Sequence, residues 1–162
     1  MKSGFVALIV VIVLAGMPEP AFAAENVNYS GKYLAERPEK TTPGTTDSAL
    51  EVVQSPDAIE ITFVEYGKRT TSRCPLNGSE GNYTSPGGVS GKCRAHLSKK
   101  NLIVESAIVT YPKPNVKVRM DTKEQWQLSK DGKTLTIKAN VGFSNLPVST
   151  SSTRKYTRTQ NP

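Results

Sequence analysis

The chain has 162 residues, with 21 Lys and Arg against 14 Asp and Glu, a net charge of +7 and 36% hydrophobic residues. That length suits one domain with a core of its own and removes the need for a dense disulfide framework. The basic residues are spread out rather than clustered, which argues against nucleic acid and leaves solubility, an anionic envelope surface or an acidic ligand.

The first 23 residues have the three-part layout of a secretory signal. Lys2 gives a positive start, residues 5–17 (FVALIVVIVLAGM) are apolar, and Ala21-Phe22-Ala23 has the small-x-small form of a cleavage site. The apolar run is short of the roughly 20 residues that a spanning helix needs. Met17 stands where a lipobox would require cysteine. The expectation is a cleaved leader over 1–23 and a single extracytoplasmic β-domain over 24–162, with no transmembrane span left after leader removal.

Strand-like runs then recur at short intervals. They cover residues 31–36, 50–54, 58–66 and 69–76, separated by the Pro38 to Gly44 loop, the Ser55-Pro56-Asp57 turn and Gly67. A Gly-rich loop leads to the run at 92–97, and Lys99-Lys100-Asn101 turns the chain into 102–111 before Pro112 and Pro114.

From Val116 to Leu128 the even positions are Val116, Val118, Met120, Thr122, Glu124, Trp126 and Leu128, while the odd ones are polar or charged. This is period-two alternation along a strand with one buried face. Lys130-Asp131-Gly132 makes a hairpin turn, and Leu135, Ile137, Ala139 and Val141 carry the buried face back. A last run covers 152–158. The pattern predicts an all-β, antiparallel up-and-down meander of about eight strands, closed or nearly closed into a barrel to remove its edges. Val116, Val118, Trp126, Leu128, Leu135 and Ile137 are expected in one core. In an outer-membrane barrel the face bearing Glu124 would meet lipid, so the apolar face is read as inward.

Cys74 and Cys93 are the only cysteines. In an exported chain they are expected to form a bridge, closing a glycine-rich loop and contributing roughly 3 kcal/mol. A catalytic thiol would leave its partner cysteine unpaired.

Three motifs resemble a bacterial secreted family of lipocalin-like β-barrels of mostly unknown function. Tyr29-Ser30-Gly31-Lys32-Tyr33 resembles its opening Gly-x-Trp strand. Glu124-Gln125-Trp126-Gln127-Leu128, with the hairpin through Ile137, resembles its late Glu-x-Trp-x-Leu hairpin. Lys155-Tyr156-Thr157-Arg158 resembles its closing Tyr-x-Arg strand. Tyr33 in place of Trp, and the cysteine pair, depart from the pattern. The resemblance implies a barrel with a small cup, in which Arg158 or Arg154 packs across Tyr33 as a closure.

Glu124 is the focus for a site, since a carboxylate on an apolar face needs a partner. Arg154, Arg158 and Arg94 are the candidates, and a satisfied structural pair is the competing reading. The candidate ligand-lining set is Tyr33, Met120, Glu124, Trp126, Arg154 and Arg158. His96, the only histidine, falls on the outward face with Lys92 and Arg94, while Cys93, Ala95 and Leu97 are read as inward. A catalytic triad or transition-metal site therefore lacks parts, and no cofactor or metal is expected. Two function classes stay open: a non-enzymatic binding barrel for a small, partly apolar molecule, and an envelope interaction or scaffold protein with a filled barrel acting through its loops and basic surface.

Overall fold

The computed structural model describes residues 27–36, 48–65, 67–144 and 146–160. The expected leader and the proline loop at 38–44 lie outside the described residues. The described chain forms ten strands: β1 Gly31–Ala35, β2 Ala49–Gln54, β3 Ala58–Glu65, β4 Lys68–Pro75, β5 Gly81–Thr84, β6 Ser90–Ser98, β7 Asn101–Lys113, β8 Val116–Leu128, β9 Thr134–Phe143 and β10 Leu146–Gln160. Each pairs antiparallel with its sequence neighbours, and β1 also pairs with β10, so the meander closes into a barrel. No helix among the described residues is long and apolar enough to cross a membrane.

The all-β closed meander is as expected, but the strand count is corrected from about eight to ten. The unforeseen strand is β5, inside the Gly-rich segment. It pairs with β6 at four positions and with β4 only at Arg73↔Asn82. Glycine and polar residues hide its alternation, leaving Tyr83 as its one large inward side chain. A Cβ at Gly81 would run into the carbonyl oxygen of Arg73, so only glycine lets β5 enter this seam.

The same seam holds the disulfide between Cys74 on β4 and Cys93 on β6. Their Cα atoms are 5.3 Å apart. Two strands separated by a third would lie about 10 Å apart, so β4 and β6 abut directly where β5 begins.

One end of the barrel is filled. Tyr29, Tyr33, Leu50, Ile59, Leu102, Trp126, Leu135 and Ile137 have no exposed surface. Tyr29, just before β1, plugs this end. Its hydroxyl hydrogen is shared between the carbonyls of Lys100 (2.8 Å) and Trp126 (3.0 Å), and its oxygen accepts from Leu102 N–H at 3.1 Å.

The other end is uneven. Strands β7 and β8 have 13 residues each and β10 has 15, against 5 for β1 and 6 for β2. β6 accompanies β7 only as far as Gly91↔Ile108, and β1 accompanies β10 only as far as Ala35↔Tyr156. The far ends of β7–β10 therefore stand beyond the rim as a curved overhang. This corrects two core assignments. Val116 is 40% exposed and Val118 only partly buried, because no strand faces them across the barrel. Trp126, Leu135 and Ile137 are core residues and Leu128 packs against them. Leu97, read as inward, is 38% exposed near the end of β6.

Candidate functional site

Alternation along β8 turns Glu124 inward, two residues above the buried Trp126. Its carboxylate is divided between two donors. Arg154 Nη2 reaches Oε1 at 2.6 Å, and the Trp126 indole Nε1 reaches Oε2 at 2.9 Å. Glu124 stands opposite Ala139 on β9, and Ala139 opposite Ser152 on β10. The small Ala139 leaves room for the arginine to cross from β10 to β8. Of the three candidate partners it is Arg154 that pairs with Glu124. Arg94 is outside the barrel, bonded to Glu105 at 2.7 Å, and Arg158 turns to the filled end.

Two tyrosines complete this polar layer. Tyr156 is 3% exposed and adjoins Arg154, with the charges of Glu124 and Glu65 also near. Tyr83 adjoins Ser106 and the Glu124–Arg154 pair. Burial raises the pKa of both phenols above 10.0. Thr70, further along β4, has a buried hydroxyl with no partner among the described residues.

The layer opens outward. Ala35, Glu36, Ser48, Glu65 and the β10 residues 153–156 line a recess of about 500 Å³ at the rim, which reaches the outer face of β10 through Thr153 and Lys155. The inner face of the overhang lies at the same end of the barrel but outside the lining of this recess. Met120 stands opposite Ile108 and Phe143 there, and Met120 and Phe143 are only partly buried. The open end thus carries a recess lined largely by polar residues and, separately, an apolar inner face.

Arg158 belongs to a separate cluster. Its guanidinium lies 5.1 Å from the Tyr33 ring centroid and donates to the Tyr33 hydroxyl at 2.6 Å, while that hydroxyl donates to the Tyr29 carbonyl at 2.7 Å. The sequence-derived set is thus split. Glu124, Trp126 and Arg154 come together, Met120 lies above them on the wall, and Tyr33 and Arg158 tie the filled end. Tyr83, Tyr156 and Glu65 join the layer without having been singled out as lining. In the sequence Tyr156 stands out only through the closing Tyr-x-Arg motif, and Tyr83 is hidden in the Gly-rich segment.

A second hollow, about 450 Å³, lies on the outer face of β6–β9. Its charges are largely paired: Glu105 takes Arg94 and Lys123, and Arg119 takes Asp121. His96 is exposed, and no group of three His, Cys, Asp or Glu among the described residues could hold a metal.

No protein-family model and no curated protein matches the chain. Solved structures do. Zebrafish ileal bile acid-binding protein, complexed with cholic acid, superposes with a TM-score of 0.55 at 16% identity, covering 80% of this chain and 98% of that one. Echinococcus granulosus fatty-acid-binding protein 1 gives 0.53 at 12%, covering 82% and 98%. Caenorhabditis elegans lipid binding protein 8 gives 0.54 at 11%, covering 80% and 94%. At these identities the likeness is one of fold alone: a closed, antiparallel, lipocalin-like β-barrel.

Proposed function

We propose that this chain is an exported, non-enzymatic binding protein that takes a small, partly apolar molecule at the open end of its barrel. The observation behind this is the rim recess, lined by Arg154 and Tyr156 of the polar layer, at the same end of the barrel as the apolar inner face bearing Met120 and Phe143. The apolar body of the ligand lies against the overhang, and its polar end displaces or joins Glu124 on Arg154 and Tyr156. Trp126 forms the underside of that floor, and Tyr33 with Arg158 holds the closed end rigid. Names of similar folds that mention bile acid, fatty acid or lipid favour the same ligand class. The disulfide and the leader-like first 23 residues favour a single mature domain outside the cytoplasm.

The filled half of the barrel supports a second reading, an envelope interaction protein for which the barrel is a scaffold. Native mass spectrometry of the protein purified from its own envelope separates the two. A co-purifying small molecule, or a change in the emission of Trp126, the only tryptophan, on adding cholate or a fatty acid, supports the first. A bare mass, or a protein adduct, together with unchanged emission overturns it.

A further inference from the structure

The overhang is apolar and exposed at its tips as well as along its inner face. Tyr111 is 66% exposed, Val116 40%, Leu146 58% and Val148 54%. All four lie at the ends of two hairpins, β7–β8 and β9–β10. The other large exposed apolar residues, Leu34, Val53 and Leu97, are scattered singly elsewhere, which is ordinary for a protein surface. The two hairpin ends are neighbours. Met120 pairs with Phe143, Ser144 N–H donates to the Arg119 carbonyl at 2.9 Å, and Arg119 N–H donates to the Ser144 hydroxyl at 3.1 Å. The four side chains therefore belong to one end of the molecule.

Charge at the tips is mainly basic, with Arg119 paired to Asp121 at their base. Residues 109–120 contain Lys113, Lys117 and Arg119 and no acidic residue, and residues 139–153 contain no charged residue at all. Pro112, Pro114 and Pro147 sit in the same tips. Proline has no N–H to offer, so these edges are poor templates for adding a strand from another protein. What remains is an apolar prow with a basic collar, and lysine stems can lie along such a surface with their ammonium groups turned outward.

We infer that this end of the barrel docks on an anionic lipid bilayer, with Tyr111, Val116, Leu146 and Val148 entering the interface and Lys113 and Lys117 meeting lipid phosphates. The docked end is the open one, so the rim recess faces the bilayer. The inference stands on the exposed tips and their charge and does not depend on what the recess binds.

The test uses the chain from Ala24 onward, which contains every described strand, with phosphatidylcholine vesicles made with and without phosphatidylglycerol. Co-sedimentation should require phosphatidylglycerol. Tyr111→Ser combined with Leu146→Ser should reduce it at least about ten-fold, and Lys113→Glu at least about five-fold. All variants are expected to keep the wild-type circular dichroism and melting temperature. A tryptophan placed by Tyr111→Trp should be quenched by brominated lipid, whereas Trp126 at the filled end should not. Three outcomes overturn the inference: no binding to phosphatidylglycerol vesicles, binding that ignores the serine pair and so reflects net charge alone, or a concentration-dependent dimer that takes the same surface without vesicle binding.

Discussion

Arg154 Nη2 donates to Glu124 Oε1 at 2.6 Å, passing over Ala139, the β9 residue that stands opposite Glu124. The pair joins two strands that share no backbone hydrogen bonds, and the second carboxylate oxygen holds the Trp126 indole. It links the filled core to the open recess. The Glu124 side chain is 13% exposed and that of Arg154 37%, so the arginine keeps some water.

Glu124→Ala should therefore cost about 1–3 kcal/mol, less than the loss of one partner from a fully buried pair. Glu124→Gln should cost less, since its amide oxygen still accepts from one donor. Arg158→Ala, acting at the other cluster, should be additive with either change. Urea unfolding of the single and double variants checks this. Equal midpoints for wild type and Glu124→Ala would mean that the carboxylate is solvated.

Tyr29→Phe should destabilise by about 1–3 kcal/mol, because it leaves the Leu102 N–H without its acceptor and removes the donor shared by Lys100 and Trp126. The same unfolding measurement applies, and faster amide exchange at Leu102 would locate the effect.

Reducing the Cys74–Cys93 bridge should lower stability by roughly 3 kcal/mol, the chain-entropy value for a loop of this size. The first backbone amides to lose exchange protection should be those of β5, which pairs with β4 at a single position. Uniform loss across the barrel would contradict a local clamp.

Stability should also fall at both ends of the pH scale, for different groups. Burial pushes the Tyr29 phenol from 10.0 up to about 12 and raises Tyr33 in the same direction. The folded state holds those protons longer than the unfolded chain does, so this contribution is complete below pH 10 and is lost as pH rises toward about 12. At the acid end, Arg94 and then Lys123 hold the Glu105 carboxyl below 4.5. Its contribution is present above that value and is lost as pH falls below it. Urea midpoints across the range, with tyrosinate absorbance followed on the alkaline side, test both limbs.

The alternation from Val116 to Leu128 sets the strand bounds of β8 and the inward direction of Glu124 and Trp126, because successive side chains on a strand must face opposite ways. It also implies that Glu124 needs a partner, and the spacing of Arg154, Tyr156 and Arg158 places all three on one face of β10. The strand alternation does not say which arginine answers, since that depends on the register of β10 against β9 and on the size of Ala139. β5 is illegible for the opposite reason: a four-residue strand built around Gly81 has almost no hydrophobic pattern.

The amino-acid order alone thus determined an antiparallel all-β meander, the inward and outward sets along its long strands, and a cysteine pair suited to a bridge. All of these follow from local periodicity and composition. The tertiary structure alone decided that ten strands close the barrel, that one end is filled by Tyr29 and Trp126, and that β7–β10 extend past their neighbours. Val116 and Val118 have the pattern of core residues and are not buried, because burial requires an opposing wall, and strand pairing across the whole sheet decides where that wall ends.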